Sequence, residues 1–427
     1  MSVSKLEPVL AHIDANIEIA TAHLFDLLRI PSISTDPNFK VDCDKAADWL
    51  VQDLKSIGFD ASKRITPGHP MVLAHAGDAG THLMFYGHYD VQPVDPLDLW
   101  DNPPFEPVLE PGDLGPIIRA RGSSDDKGQL MTFVEACRAW KAVHGNLPGK
   151  ISLFFEGEEE SGSPSLVPFM TENSAELTAD IALICDTGLF GNNTPGIVTR
   201  LRGMLGEELT ITGPSKDLHS GMYGGVAINP ARILAKIIST LHDENGRITI
   251  PGFYDGVPEL SPEMSEQWDG LNFDTAGFLD QVGLSKLAGE HGRTALEMIW
   301  SRPTCEVNGI WGGYTGLGFK TVLPSHASAK ISFRLVGTQD PNKIRDNFRA
   351  MVQSMLPPDC SVKFTGHGSS AGSEMAIENR VFEAARVALS DEWPEAAAFV
   401  GCGGSIPIAG HFKTVLDMDA MLIGFAR

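Results

Sequence analysis

At 427 residues the chain is longer than one hydrophobic core normally serves, so two domains are expected. Its 42% hydrophobic and 21% charged residues exclude a disordered chain, and no apolar run reaches the roughly 18 to 20 residues of a membrane span. A formal net charge of −22 would repel nucleic-acid phosphates and fits a soluble cytoplasmic protein.

In chain order, Glu7, His12, Asp14 and Glu18 interrupt any signal-peptide core within residues 1–34. The spacing of Leu10, Ile13, Ile17 and Ile19 predicts an amphipathic helix there instead. A second helix is predicted over 45–54, then a strand over 81–86 running into Gly87-His88-Tyr89-Asp90. The proline-rich, acidic stretch 95–110 reads as a surface loop and 117–121 as a short strand. Residues 128–143 carry Leu130, Phe133, Val134 and Cys137 at helical spacing, and 151–155 and 181–185 are apolar runs of buried-strand type. This alternation predicts an α/β sheet with its candidate functional residues at strand ends.

Beyond residue 200 the pattern changes. Strands are predicted over 207–212, 330–335 and 361–364, and helices over 230–243 and 342–355, as in a small inserted α+β domain. Residues 246–287, rich in Gly, Pro and acids, read as irregular. The six cysteines form no CxxC pair, which speaks against a disulfide framework and for a reducing compartment.

Hard metal ligands recur where strands end. In His88-Tyr89-Asp90 the i, i+2 spacing puts imidazole and carboxylate on one face, although an HxD pair alone is weak evidence. Asp125-Asp126 pairs two carboxylates that repel unless a cation neutralises them, with a helix-capping turn as the plain alternative. Glu156-Gly-Glu-Glu-Glu160 comes directly after an apparent central strand, and Asp186 after another. One His and several carboxylates at strand ends form the ligand set of a hydrolytic two-metal centre using zinc, manganese or a similar ion.

Six ordered motifs resemble those of the aminoacylase, carboxypeptidase-G and carnosinase group of metallopeptidases, nearest to its carnosinase and cytosolic nonspecific dipeptidase branch. They are Tyr86-Gly-His-Tyr-Asp-Val-Gln-Pro93, Arg121-Gly-Ser-Ser-Asp-Asp-Lys-Gly128, Phe155-Glu-Gly-Glu-Glu-Glu-Ser-Gly-Ser163, Asp217-Leu-His-Ser-Gly-Met-Tyr-Gly-Gly225, Gly318-Phe-Lys-Thr-Val-Leu-Pro324 and Gly403-Gly-Ser-Ile-Pro407. The resemblance implies a zinc-exopeptidase-like catalytic domain over 1–200 and 369–427, a mixed sheet flanked by helices. Residues 201–368 would be an α+β lid and dimerisation domain.

It further implies two divalent cations, zinc first and manganese or cobalt as alternatives, bridged by Asp125 in a cis peptide with Asp126. His88 and Asp186 would complete one site and Glu160 the other, with Asp90 orienting His88 and Glu159 as general base. The substrate would be a dipeptide or similar short peptide, with an N-acyl amino acid as the alternative. Arg334 would hold its C-terminal carboxylate, with Thr321, Ser405 and Asn308 as polar contacts. His219 would act in trans on the oxyanion in a homodimer. The family's last ligand, a histidine, falls beyond Arg427, so the chain is expected to be a piece of a longer one. A non-catalytic metal-binding homologue is the reading if that histidine is truly lost. His411, the only histidine after Ser405, reads as a helix-surface residue.

Overall fold

The computed structural model describes residues 3–112, 115–191, 193–375, 377, 380–404 and 406–426. The chain divides into two compact units, Met1–Val198 with Ile377–Ala398 and His411–Arg427, and Thr199–Ala376 with Phe399–Gly410.

The first unit is a mixed sheet covered by helices. Its strands run in the order Asp60–Arg64, Met71–Ala76, Lys150–Glu156, His82–His88, Ile181–Ile184, Ala420–Ile423 and Gly196–Leu201. The four from Lys150–Glu156 to Ala420–Ile423 are mutually parallel. Their register fixes where each one stops. His88 pairs Glu156 across one parallel edge, and Tyr86 pairs Ile184 across the other. The carboxyl ends of three adjacent strands therefore finish at nearly one level, the usual place for a site in such sheets.

The helix Lys40–Ser56 turns Cys43, Ala46, Ala47, Leu50 and Leu54 inward, the stripe expected of an amphipathic helix on a sheet. Lys127–His144 does the same with Leu130, Val134 and Cys137. Both faces belong to one core with Val72, Phe85, Leu153 and Phe155, where Phe85 stacks on Phe133 at 4.2 Å between ring centroids.

Some details differ from expectation. The single N-terminal helix is two, Val3–Ala15 and Ile17–Leu28, because Asn16 closes the first with its amide on Ile13 O (3.0 Å) and its side chain on His12 O (2.7 Å). Asp60–Arg64 carries no apolar run and is a strand only because Met71–Ala76 pairs with it. Within the expected loop 95–110, Val108–Glu110 pairs with Ile117–Arg119 as a short hairpin.

The second unit holds a four-stranded antiparallel sheet in the order Thr304–Gly312, His326–Leu335, Gly203–Thr212 and Ser361–Ser370. The helices Pro230–Ser239 and Pro341–Ser354 join its core through Leu234, Ile237, Ile344, Phe348 and Val352. The stretch expected to be irregular contains two short helices, Pro262–Gly270 and Thr275–Asp280. They are too short to show periodicity. Caps define them instead, Ser261 Oγ accepting from Met264 N at 3.2 Å and Asp274 Oδ1 from Gly277 N at 2.9 Å.

One buried ion pair in this unit offers a stability test. Arg302 and Glu290 are both almost fully buried, with Arg302 Nε donating to Glu290 Oε2 at 2.8 Å. Arg302→Met would leave that buried carboxylate only the more distant Arg293, 3.8 Å away, and is expected to cost about 3 kcal/mol. Denaturant unfolding measures this, and an unchanged midpoint would refute it.

All six cysteines are free thiols, four of them buried. Among the described residues, no helix is long and apolar enough to cross a membrane.

Candidate metal centre

The site grows from the strand ending at His88. Past it the chain stays extended, so His88 and Asp90 share a face while Tyr89 turns the other way, buried, its hydroxyl donating to Pro70 O at 2.6 Å. The turn is held from behind by Ser32, whose Oγ donates to Tyr89 O at 2.6 Å and whose carbonyl accepts Val91 N at 3.0 Å. His88 is fully buried, with Nδ1 3.1 Å from Asp90 O and 3.3 Å from Asp90 Oδ1.

Asp125 and Asp126, joined by a cis peptide bond, divide their roles. The Asp125 side chain is 60% exposed and brings Oδ1 to 3.1 Å from His88 Nε2. Asp126 is fully buried and its Oδ2 accepts the backbone N–H of His88 at 3.0 Å. Its side chain makes no cap bond to the helix Lys127–His144, so the capping alternative does not hold. The next residue, Lys127, is wholly buried and donates to Leu27 O (3.1 Å) and Ile30 O (2.6 Å), tying this turn to the end of the helix Ile17–Leu28.

The four glutamates at 156–160 also divide. Glu156 is buried and accepts from Tyr86 OH at 2.7 Å and Ser163 Oγ at 2.6 Å, closing the turn that comes after it. Glu158 is buried and accepts the amides of His69 (2.8 Å) and Ser165 (3.0 Å). Glu159 and Glu160 are only partly buried, and the Asp90 carboxylate accepts their backbone amides at 3.3 and 3.0 Å. Gly157 is required between Glu156 and Glu158, because a Cβ there would lie 2.3 Å from the Tyr89 hydroxyl. Asp90 thus organises both the imidazole and the Glu159–Glu160 turn, a wider role than the HxD spacing indicates.

One ligand atom each of His88, Asp125 and Asp186 lies within 4.8 Å of the others. The electrostatics are those of carboxylates crowded out of water. Burial first, then the neighbouring carboxylates, raises Asp186 to about 7, and burial with the Asp125 charge raises Glu160 to about 7. Glu159 is also raised, chiefly by burial. For His88 burial works against the charged form, yet contact with Asp125 and Asp90 raises its pKa well above the ordinary value. The same field would hold a metal cation. A direct sign of fit is that buried His88 Nε2, though 3.1 Å from Asp125 Oδ1, has no hydrogen bond of good geometry. A divalent cation there would take that nitrogen and carboxylate oxygens as ligands of the expected kind.

Glu160 accepts Gln92 Nε2 at 2.6 Å. Gln92 escaped the sequence reading, although it lies four positions beyond His88 in the same motif. His411 is half-buried on the helix Pro407–Leu416, and burial lowers its pKa.

In the second unit His219 and Thr321 are neighbours, with Nε2 and Oγ1 3.4 Å apart, while His219 Nδ1 accepts Gly221 N at 3.0 Å. Arg334 lies on the strand His326–Leu335 opposite Thr304, and Asn308 sits at a register shift in Thr304–Gly312. Ser405 lies outside the described residues.

A mixed α/β sheet with a histidine and carboxylates gathered at its parallel strand ends defines a metal-dependent hydrolase. The chain belongs to the peptidase family M20/M25/M40, whose model matches residues 84–426, and it is accordingly a metallopeptidase. It is 30% identical over 423 residues to the Cys-Gly metallodipeptidase DUG1 of Candida albicans, covering 94% of this chain and 86% of that protein. It is 27% identical to the human beta-Ala-His dipeptidase over 84% of this chain and 71% of that one, which agrees with the expected dipeptidase and carnosinase branch. Among solved structures, the M20 family metallo-carboxypeptidase Sso-CP2 from Sulfolobus solfataricus superposes with a TM-score of 0.82 at 33% identity, covering 94% of this chain and 90% of that one.

Proposed function

We propose that the chain hydrolyses dipeptides and similar short peptides at a centre of two divalent cations, zinc first, with Glu159 as general base. The observation that carries this is the convergence of His88, Asp125 and Asp186 at strand ends, beside a turn bearing Glu159 and Glu160 whose amides Asp90 holds. The substrate class is supported by relatives that act on dipeptides by name.

In this reading Asp125 would serve both cations, His88 and Asp186 one of them and Glu160 the other. Bound there, the cations would lower the pKa of a water and polarise the scissile carbonyl. Glu159 takes the proton from the attacking water and delivers it to the leaving amine nitrogen. Asp90 keeps the His88 ring and the Glu159–Glu160 turn in one geometry. Arg334 pairs bidentately with the substrate's C-terminal carboxylate, with Thr321, Asn308 and Ser405 as further polar contacts. His219 donates to the oxyanion from the partner copy of a homodimer, residues 201–368 acting as lid and dimer surface. The dimer is supported by Ile310 and Trp311, exposed on the edge strand Thr304–Gly312, and by Leu317 and Phe319, each more than 90% exposed just after it. The free thiols support a cytoplasmic setting.

The test is turnover of Cys-Gly and beta-Ala-His against N-acetyl amino acids, after chelation and after restoring zinc or manganese. Dipeptides are expected to turn over faster, and only with metal. Preference for N-acetyl amino acids would favour an amidohydrolase. Full activity in chelator would end the metal reading.

A further inference from the structure

A second cluster of ligand-type side chains lies at the opposite end of the same strands. His82 stands six positions before His88, roughly 20 Å away along an extended strand. Three neighbouring strands set His75, Ser152 and His82 side by side: His75 pairs Ser152 directly, and His82 enters diagonally from the strand on Ser152's other side. Ser152 is small and 1% exposed, so two imidazoles on strands that do not touch can meet above it. His75 Nδ1 and His82 Nε2 each lie 2.7 Å from Ser152 Oγ.

The row is backed by a carboxylate. His75 Nε2 is 3.1 Å from Glu176 Oε1, which also accepts from Arg64 Nη2 at 2.7 Å. With Nε2–H committed to Glu176, the lone pair of His75 is on Nδ1 and points at Ser152. A carboxylate behind an imidazole is the common support of a metal-binding histidine, since it sets the tautomer and raises the basicity of the free nitrogen. A cavity of about 310 Å³ opens on His75, Ser152, His82 and Glu176. Arg64 and Lys150 face Glu176 and Asp180 around it, equal in number, although Lys150 acts on His82 more strongly than Asp180 does. Burial and the nearby Lys150 lower the His82 pKa. Ser152 has one hydroxyl proton, donated to His75 Nδ1, so without metal His82 Nε2–H donates to Ser152 Oγ. On cation binding the neutral His82 ring would carry its proton on Nδ1 instead.

We propose that His75 and His82 bind a transition-metal cation of the zinc, nickel or copper class, with Ser152 Oγ and water from the cavity completing its shell. Imidazole nitrogens select these ions over calcium or magnesium. Tetrahedral zinc with bonds of about 2.0 Å needs its donors roughly 3.3 Å apart, so the rings would retreat from Ser152 by about half an ångström. The cavity gives them room. This position is separate from the catalytic reading and stands whether or not that reading does.

The test is zinc content per chain after dialysis against excess zinc. The His75→Ala/His82→Ala double variant is expected to hold one zinc fewer than the unaltered chain and to keep its peptidase turnover. His88→Ala should lose catalytic metal and retain this one. Equal zinc in the double variant and the unaltered chain overturns the proposal. Should the double variant not fold, anomalous scattering from zinc-soaked crystals of the unaltered chain decides. A peak between the two rings is expected, and flat density there refutes the site.

Discussion

Glu159→Gln is expected to lower kcat on a dipeptide by about 10³-fold while leaving metal content unchanged. The backbone amide of Glu159 is held by Asp90, so the exchange keeps the turn and alters only the group that can accept a proton. Burial raises the carboxyl's pKa, which makes it a stronger base than a solvated glutamate. KM should move little, because an interaction made only in the transition state lowers kcat and kcat/KM together. Neighbouring Glu158→Gln supplies the contrast. That carboxylate accepts the amides of His69 and Ser165, so its loss should appear in stability before turnover. A Glu159→Gln enzyme within about tenfold of the parent kcat would remove Glu159 from the general-base role.

Asp125→Asn is expected to strip metal from both positions and to abolish at least about 10⁴-fold of turnover. Asp125 is the proposed bridge, and an amide offers one weak oxygen donor where a carboxylate offers two charged ones. Asp90→Asn should behave differently. It weakens the support of His88 and of the Glu159 and Glu160 amides, so metal affinity should fall by about 10- to 100-fold, with activity returning in excess metal. Metal analysis of both variants beside activity separates the cases. If Asp125→Asn retained both ions, the bridging role would be lost.

Much of the catalytic architecture was legible from local signals. The apolar runs at 151–155 and 181–185 are short and bounded, and the ligand types come directly after them at Glu156 and Asp186, so strand ends could be located without any partner strand. The helix after Asp126 was marked by Leu130, Val134 and Cys137, which the structure buries. Where such signals were missing the reading failed. Asp60–Arg64 has no alternation, and the helices at Pro262–Gly270 and Thr275–Asp280 depend on caps over one or two turns.

The sequence alone determined the kind of site: residue types, their order and their positions after strands come from a chain pattern of period two and from chemistry that needs hard ligands. Spacing and residue type by themselves did not separate the carboxylates; only the resemblance to a family assigned them separate roles. Of the pair at 125–126 and the four glutamates at 156–160, only the fold buries Asp126, Glu156 and Glu158 in backbone and hydroxyl contacts, and leaves Asp125, Glu159 and Glu160 less enclosed. That sorting depends on the register between parallel strands far apart in the chain. Identical side chains carry no mark of the partners that register will bring them.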